Sequence, residues 1–380
     1  MSRPPLRLDR REIAGAFGDL GTSFPLLVGM TLACGLDGGS VLAVFGALQV
    51  ATALVYHMPM PVQPLKAMAA IAIAQRLPAA TLAGGGLAVG VLMLLLTLTG
   101  LLESLARAVP KTVVRGIQCG LGLQLSGLAC HEFLPAGGCA GWVLAAVSAA
   151  VVVALLGDER RPPALILIVL GLTWSSATVL DGGMLAAGFG LRLPAFALPS
   201  LADIWTGALV LALPQIPLSL GNSVLATRQV SLDLFPDRAP DVLKIGFTYS
   251  AMNLLAPLFG GVPVCHGSGG MVGHSAFGGR TGGSVLVYGM MFLVLGLFFG
   301  GAFGEVVRVF PRPMLGVLLL FEGLAMLSLV RDQAHDKEDF AIVMLTGLAC
   351  AGLPYGYLVG MAGGTLLHRL KGRTGLKSLR

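Results

Sequence analysis

Two stretches of this 380-residue chain combine residue types suited to holding an anion: MPMPVQPLKAMAA at 58–70 and GGVPVCHGSGG at 260–270. In the first, Pro59 and Pro61 lack N–H groups and fix φ, so 58–62 is expected to be extended. Pro64 suits the first position of a helix, with Gln63 as its cap. In the second, Pro263 and Val264 lead into Cys265, His266, Gly267, Ser268, Gly269 and Gly270, where glycine lets a ligand approach the backbone. A helix beginning after each break presents unpaired N–H groups and roughly half an elementary positive charge. Two such ends, with the Lys66 ammonium, come near the double positive charge that a divalent oxyanion needs. Neither stretch contains Asp or Glu, so neither suits a cation.

Other polar residues sit inside apolar sequence. Asp19 is an intramembrane carboxylate, costly unless protonated or paired, and reads either as a coupling residue or as the partner of Lys66. Thr22 and Ser23 precede Pro25, where the first helix is expected to kink toward the centre. Their counterparts in the second half are Pro214 and Gln215. Glu322 reads as part of a proton path or as a helix–helix contact. The substrate-binding candidates are therefore Thr22, Ser23, Gln63, Pro64, Lys66, Gln215, Cys265, His266, Gly267 and Ser268, with Asp19 and Glu322 as coupling candidates. Asn222 is a weaker candidate, and His274 and Tyr249 read as packing residues.

The elements that position these residues follow from hydropathy. The chain is 55% hydrophobic and 12% charged, about half the charge of a soluble domain, and its mean hydropathy is +0.84. This excludes a soluble enzyme, a disordered chain and a collagen-like fibre. The apolar runs are continuous rather than alternating, which argues against a porin-type barrel. Fourteen spans emerge, from 12–33 to 354–368, which makes the fold an all-α polytopic membrane protein. Spans 64–76 and 264–278 are only about 18–22 Å long at 1.5 Å per residue, too short to cross alone. These are the third and tenth segments, expected as half-helices after short extended segments, and such a pair points to a transporter site.

The halves repeat. Gly100, Arg107, Pro110 and Gly122 match Gly301, Arg308, Pro311 and Gly323 at a constant offset, and Pro61-Val62 matches Pro263-Val264. Residues 1–190 and 191–380 then each hold seven segments, and an odd number inverts the second copy. Basic residues crowd both ends: Arg3, Arg7, Arg10 and Arg11, then Arg369, Lys371, Arg373, Lys377 and Arg380. With Arg160 and Arg161 in a loop on the same side, this places both termini in the cytoplasm. The first eleven residues are too polar for a signal peptide. The six cysteines lack zinc-ligand spacing, and Cys130 and Cys139 are close enough in sequence to leave a disulfide open. No H-E-x-x-H, G-x-S-x-G or P-loop motif occurs, so neither a metal or serine enzyme nor ATP drive is supported.

FGDLGT at 17–22, MPVQPLKA at 60–67 and FGGVPVCHGSGG at 259–270 resemble the signature motifs of the molybdate transporter family related to SulP-type sulfate permeases. The resemblance covers essentially the whole chain. It implies a core domain of segments 1–4 and 8–11, a gate domain of segments 5–7 and 12–14, and substrate held between segments 3 and 10. The implied function is secondary active import of molybdate, with protons as coupling ion and no cofactor, by alternating access in a bacterial inner membrane. A sulfate transporter or an anion channel of the same fold is the alternative. A nucleobase permease would usually carry a carboxylate near the half-helices. Nucleic acid is not an expected partner, and a homodimer is compatible with the chain. Ser268 stands where a smaller residue such as Ala is expected, and the cytoplasmic regulatory domain typical of SulP proteins does not follow the last span.

Overall fold

A computed structural model gives the fold, describing residues 5–102, 104, 110–155, 163–179 and 188–371. Of the basic residues weighed above, Arg3, Arg107, Arg160, Arg161, Arg373, Lys377 and Arg380 lie outside the described residues. A short helix α1 (Arg10–Gly15) precedes α2 (Leu20–Cys34), α3 (Gly38–Tyr56), strand β1 (Val62–Pro64), α4 (Lys66–Gln75) and α5 (Ala79–Leu98). Then come α6 (Lys111–Leu128), α7 (Gly138–Ala154) and α8 (Pro163–Val179). In the second half, α9 runs over Leu201–Leu234 with π-helical turns at Ala208–Ala212 and Ser219–Leu225. It is followed by α10 (Val242–Leu255), strand β2 (Val264–His266), α11 (Ser268–Ala276) and α12 (Gly283–Val309). The last three helices are α13 (Arg312–Ser328), α14 (Lys337–Gly352) and α15 (Gly356–Arg369).

Among the described residues, six rods are long and apolar enough to cross a membrane by length and composition, with α10 and α13 counted through the tight turns that extend them to Phe259 and Gln333. Large apolar side chains point outward along them. Trp205 is 68% exposed and Leu98 63%, which suits a surface solvated by lipid rather than water. Glycine lets some helices pack backbone to backbone, as is common in membranes. A Cβ on Gly46 of α3 would fall 2.3 Å from the Leu293 nitrogen of α12, and one on Gly296 would fall 2.3 Å from the Ala43 nitrogen. The heaviest helix contacts fall into two groups. Helix α3 packs on α12, and α5 on α9 and α10, whereas α6 packs on α13, α14 and α15.

The first apolar span is not one helix. It breaks at Ala16–Asp19 because the chain there lies against the second half. A Cβ on Gly18 would sit 2.4 Å from the Gly273 carbonyl, and one on Gly15 would sit 2.7 Å from the Gly279 nitrogen. Glu12, buried in α1, accepts from the amides of Arg280, Thr281 and Ser284 at 2.8–2.9 Å, so it caps the approach to α12.

The two broken segments meet in an antiparallel ladder, with Val62 opposite His266, Gln63 opposite Cys265 and Pro64 opposite Val264. Two further backbone bonds extend it, Leu65 N–H to Pro263 O at 3.0 Å and Gly267 N–H to Pro61 O at 3.3 Å. A side-chain amide clamps each strand from behind. Gln49 of α3 donates to Val62 O at 2.7 Å and accepts from Val62 N–H at 2.8 Å. Asn253 of α10 does the same for Val264, at 2.6 and 2.9 Å. The strands displace the expected helix starts. Pro64 lies in β1 rather than at the first helical position, and α4 begins at Lys66 with Leu65 as its N-cap. Likewise 264–266 is strand, and α11 begins at Ser268. At about 15 and 14 Å, both helices are half the thickness of a bilayer core.

Candidate functional site

The ladder sets which side chains share a face. Gln63 and Cys265 are directly opposite, so they point the same way, and Val62 and His266 point the other. The first pair faces a cavity of about 480 Å³, in the range of small-ligand sites. Thr22 of α2, Lys66 of α4, Gln215 and Asn222 of α9, Gly267 to Gly269 at the start of α11, and Glu322 of α13 complete much of its wall. The structure thus brings Thr22, Gln63, Lys66, Gln215, Cys265, His266, Gly267, Ser268 and Glu322 around one space. Asp19, Ser23 and Pro64 lie outside its wall.

Asp19 stands directly behind that wall. It is 1% exposed and accepts from Ser23 Oγ at 2.8 Å and from the Gln63 side-chain amide. Gln63 is therefore not a helix cap, as its spacing suggested; its amide is spent on Asp19. Nor does Asp19 pair with Lys66. The Lys66 ammonium reaches across the cavity to Glu322 at 2.7 Å. The reason is geometric: Ser23 lies one turn from Asp19 on α2 and Gln63 faces it from β1, so its oxygens are already engaged.

The two short helices do not offer equivalent ends. At α4, Gln215 Oε1 accepts from the amides of Ala67 and Met68 at 3.1 and 3.2 Å. Gln215 in turn donates to Ser219 at 3.1 Å, and Ser219 meets the Tyr249 hydroxyl at 2.7 Å. Tyr249, read from sequence as packing, thus supports the residue that caps α4. At α11, Ser268 and Gly269 face the cavity, and a Cβ on Gly269 would meet nothing within 4 Å. The open, electropositive helix end at the cavity is that of α11. Gly267 has no room for a side chain, since its Cβ would fall 2.2 Å from Gln63 Cδ.

His266 contributes to the wall, but its ring belongs to the other face. Nε2 meets Thr248 Oγ1 at 2.7 Å, and the ring stands edge-on to Tyr56 at 5.2 Å. Its role is to anchor β2 against α10 and α3. Cys130 and Cys139 are both exposed free thiols, so the disulfide left open by their spacing is not formed.

A sequence profile described as the molybdate transporter of the MFS superfamily matches residues 11–125 and 207–326. The chain belongs to the molybdate transporter family. It is 32% identical to molybdate transporter 1 of Arabidopsis thaliana, covering 94% of this chain and 87% of that one. Molybdate transporter 1 of Chlamydomonas reinhardtii is 28% identical over 93% and 90%. Among solved structures, the chain resembles SLC26A9 with TM-score 0.70 at 16% identity, over 94% of this chain and 65% of that one. It also resembles the transmembrane domain of the cyanobacterial bicarbonate transporter BicA, with TM-score 0.66 at 18% identity, over 96% and 98%. The fold is thus a polytopic membrane fold of the SLC26 type, and the family consists of transporters, not enzymes.

Three residues around this cavity carry what sequence reasoning missed. Arg115 and Gln118 of α6 line it, and Arg115 is held by Asp332 at 2.6–3.1 Å and by Gln118 at 2.9 Å. An arginine four residues into an apolar helix was the available signal. Ser223, itself buried, lines the cavity from a π-helical turn of α9, and one extra residue per turn is invisible to hydropathy.

Proposed function

We propose that this chain is a secondary active transporter that imports molybdate, a tetrahedral dianion, across a plasma membrane with both termini cytoplasmic. The observation that carries this reading is one cavity lined by the Lys66 ammonium and the open amide end of α11. The names of its Arabidopsis and Chlamydomonas relatives support molybdate as the substrate. The matched devices on the two strands, Gln49 on β1 and Asn253 on β2, support two seven-segment repeats of inverted orientation, with α4 and α11 as half-helices. In this reading α2–α5 and α9–α12 form a core that carries the site, and α6–α8 and α13–α15 form the gate against which it moves. Protons are the coupling ion, exchanged at Asp19 or Glu322.

A binding titration on the purified protein tests this reading. Molybdate is expected to bind in the presence of excess sulfate, and Lys66→Ala is expected to lose at least tenfold in affinity. Molybdate binding that sulfate abolishes would make sulfate the substrate, and wild-type affinity in Lys66→Ala would remove Lys66 from the site.

A further inference from the structure

Three charged side chains, Lys66, Arg115 and Glu322, line the cavity among the described residues. Each is already answered. Asp332 occupies Arg115 through both of its oxygens and also meets Lys111 at 2.7 Å. Glu322 occupies Lys66 at 2.7 Å. A dianion entering this space finds no full positive charge that is not shared with a carboxylate. It must take one from its partner. Arg115 is the harder to take, being 17% exposed and held by a two-oxygen fork and by Gln118. Lys66 is 42% exposed and is bound to a single carboxylate oxygen. Its flexible stem can turn without disturbing α4.

The two partners belong to different helix groups. Lys66 begins α4, which is joined through β1 to β2 and α11; Glu322 is on α13, which packs on α6. We propose that the Lys66–Glu322 bridge is a latch between these groups that the substrate itself opens, because oxyanion and Glu322 carboxylate compete for one ammonium. Glu322 acts as a built-in stand-in for the substrate. While it holds Lys66, α4 is tied to α13 and the site stays where it is. When the anion takes Lys66, the same event that fills the site removes the tie. Binding and freedom to move are then one equilibrium, with a coupling that both the anion and the latch must share. The inference rests on the oxyanion reading above and adds to it a role for Glu322 that is neither a proton path nor a static helix contact.

The test is a double-mutant cycle read as molybdate affinity by calorimetry on the purified full-length chain. Glu322→Gln removes the competing charge with little change of shape, and Glu322→Ala removes the group altogether. Both are expected to bind molybdate about tenfold more tightly than wild type, within the range usual for coupled sites. In a Lys66→Gln background the same substitutions are expected to change nothing, since Glu322 acts only through Lys66. A static tie gives the opposite pattern. Unchanged or weakened binding in both Glu322 variants would overturn the latch, as would tightening that persists without Lys66. Failure of the wild-type chain to bind molybdate, tungstate or sulfate is a separate result, and it would sink the oxyanion reading itself.

Discussion

At the scale of single residues, Gln215 holds the most informative position. Its carbonyl oxygen takes two first-turn amides of α4, and its own amide reaches Ser219. Gln215→Leu keeps the shape and leaves these buried donors without an acceptor, a loss of roughly 1–3 kcal/mol. A lower melting temperature and loss of molybdate uptake are expected together. Gln215→Glu should separate the two, because it keeps the acceptor and so the thermal stability, yet places a negative charge beside the anion and weakens uptake. Wild-type uptake in Gln215→Glu would place the substrate away from α4. Lys66, Gly267 and Ser268 were legible because proline and glycine punctuate an apolar sequence that has no other use for them. The partner of Lys66 was not, since Glu322 lies 256 positions away and a lone carboxylate in a helix names no partner.

At the scale of elements, the site depends on two strands of three residues each, too short to persist on backbone pairing alone. The clamps from Gln49 and Asn253 make up the difference. Asn253→Leu breaks two buried bonds to Val264 and is expected to cost on the order of 2–5 kcal/mol, with uptake lost before the helices unfold. Gln49→Leu should match it from the other side. Circular dichroism melts alongside uptake measure both, and normal uptake in either variant would show that the ladder holds without its clamp. Most helical spans could be read from hydropathy to within a few residues, but the first breaks at Ala16–Asp19 and the helix from Leu201 runs on to Leu234. The starts of α4 and α11 could not, because proline marks where a helix cannot continue, not where the next begins, and the pairing of β1 with β2 is a long-range event. Gln49 and Asn253 carried a signal that went unread: each is an amide buried in an apolar helix shortly before a break, at corresponding places in the two halves.

At the scale of the whole molecule, the question is energy. Bringing a dianion into a negative-inside compartment at 100 mV opposes the field by about 4.6 kcal/mol. The cavity lowers the cost of holding the anion but cannot supply that work. Accumulation of labelled molybdate is therefore expected to collapse when a protonophore is added to energised vesicles, while exchange of molybdate across the same membrane continues. Accumulation that survives the protonophore would exclude protons as the driving ion. Membrane class was legible in composition alone, because so few charges cannot clothe a soluble surface; transport was legible only in the paired short segments and the motifs around them. Which helices pack together was not, since hydropathy is blind to which helices touch.

The ladder also bears on how the molecule is made. Val62 and His266 are partners, yet about two hundred residues separate them along the chain. At roughly 5–20 residues per second, the first strand waits some ten to forty seconds for its mate to leave the ribosome. Throughout that interval the first strand, interrupted by prolines, lacks its ladder partner, and Gln49 is the clamp within its own half. Biogenesis must shelter this half-finished centre, and a break in the gene ahead of the second strand would leave an insertion intermediate with an adhesive seam.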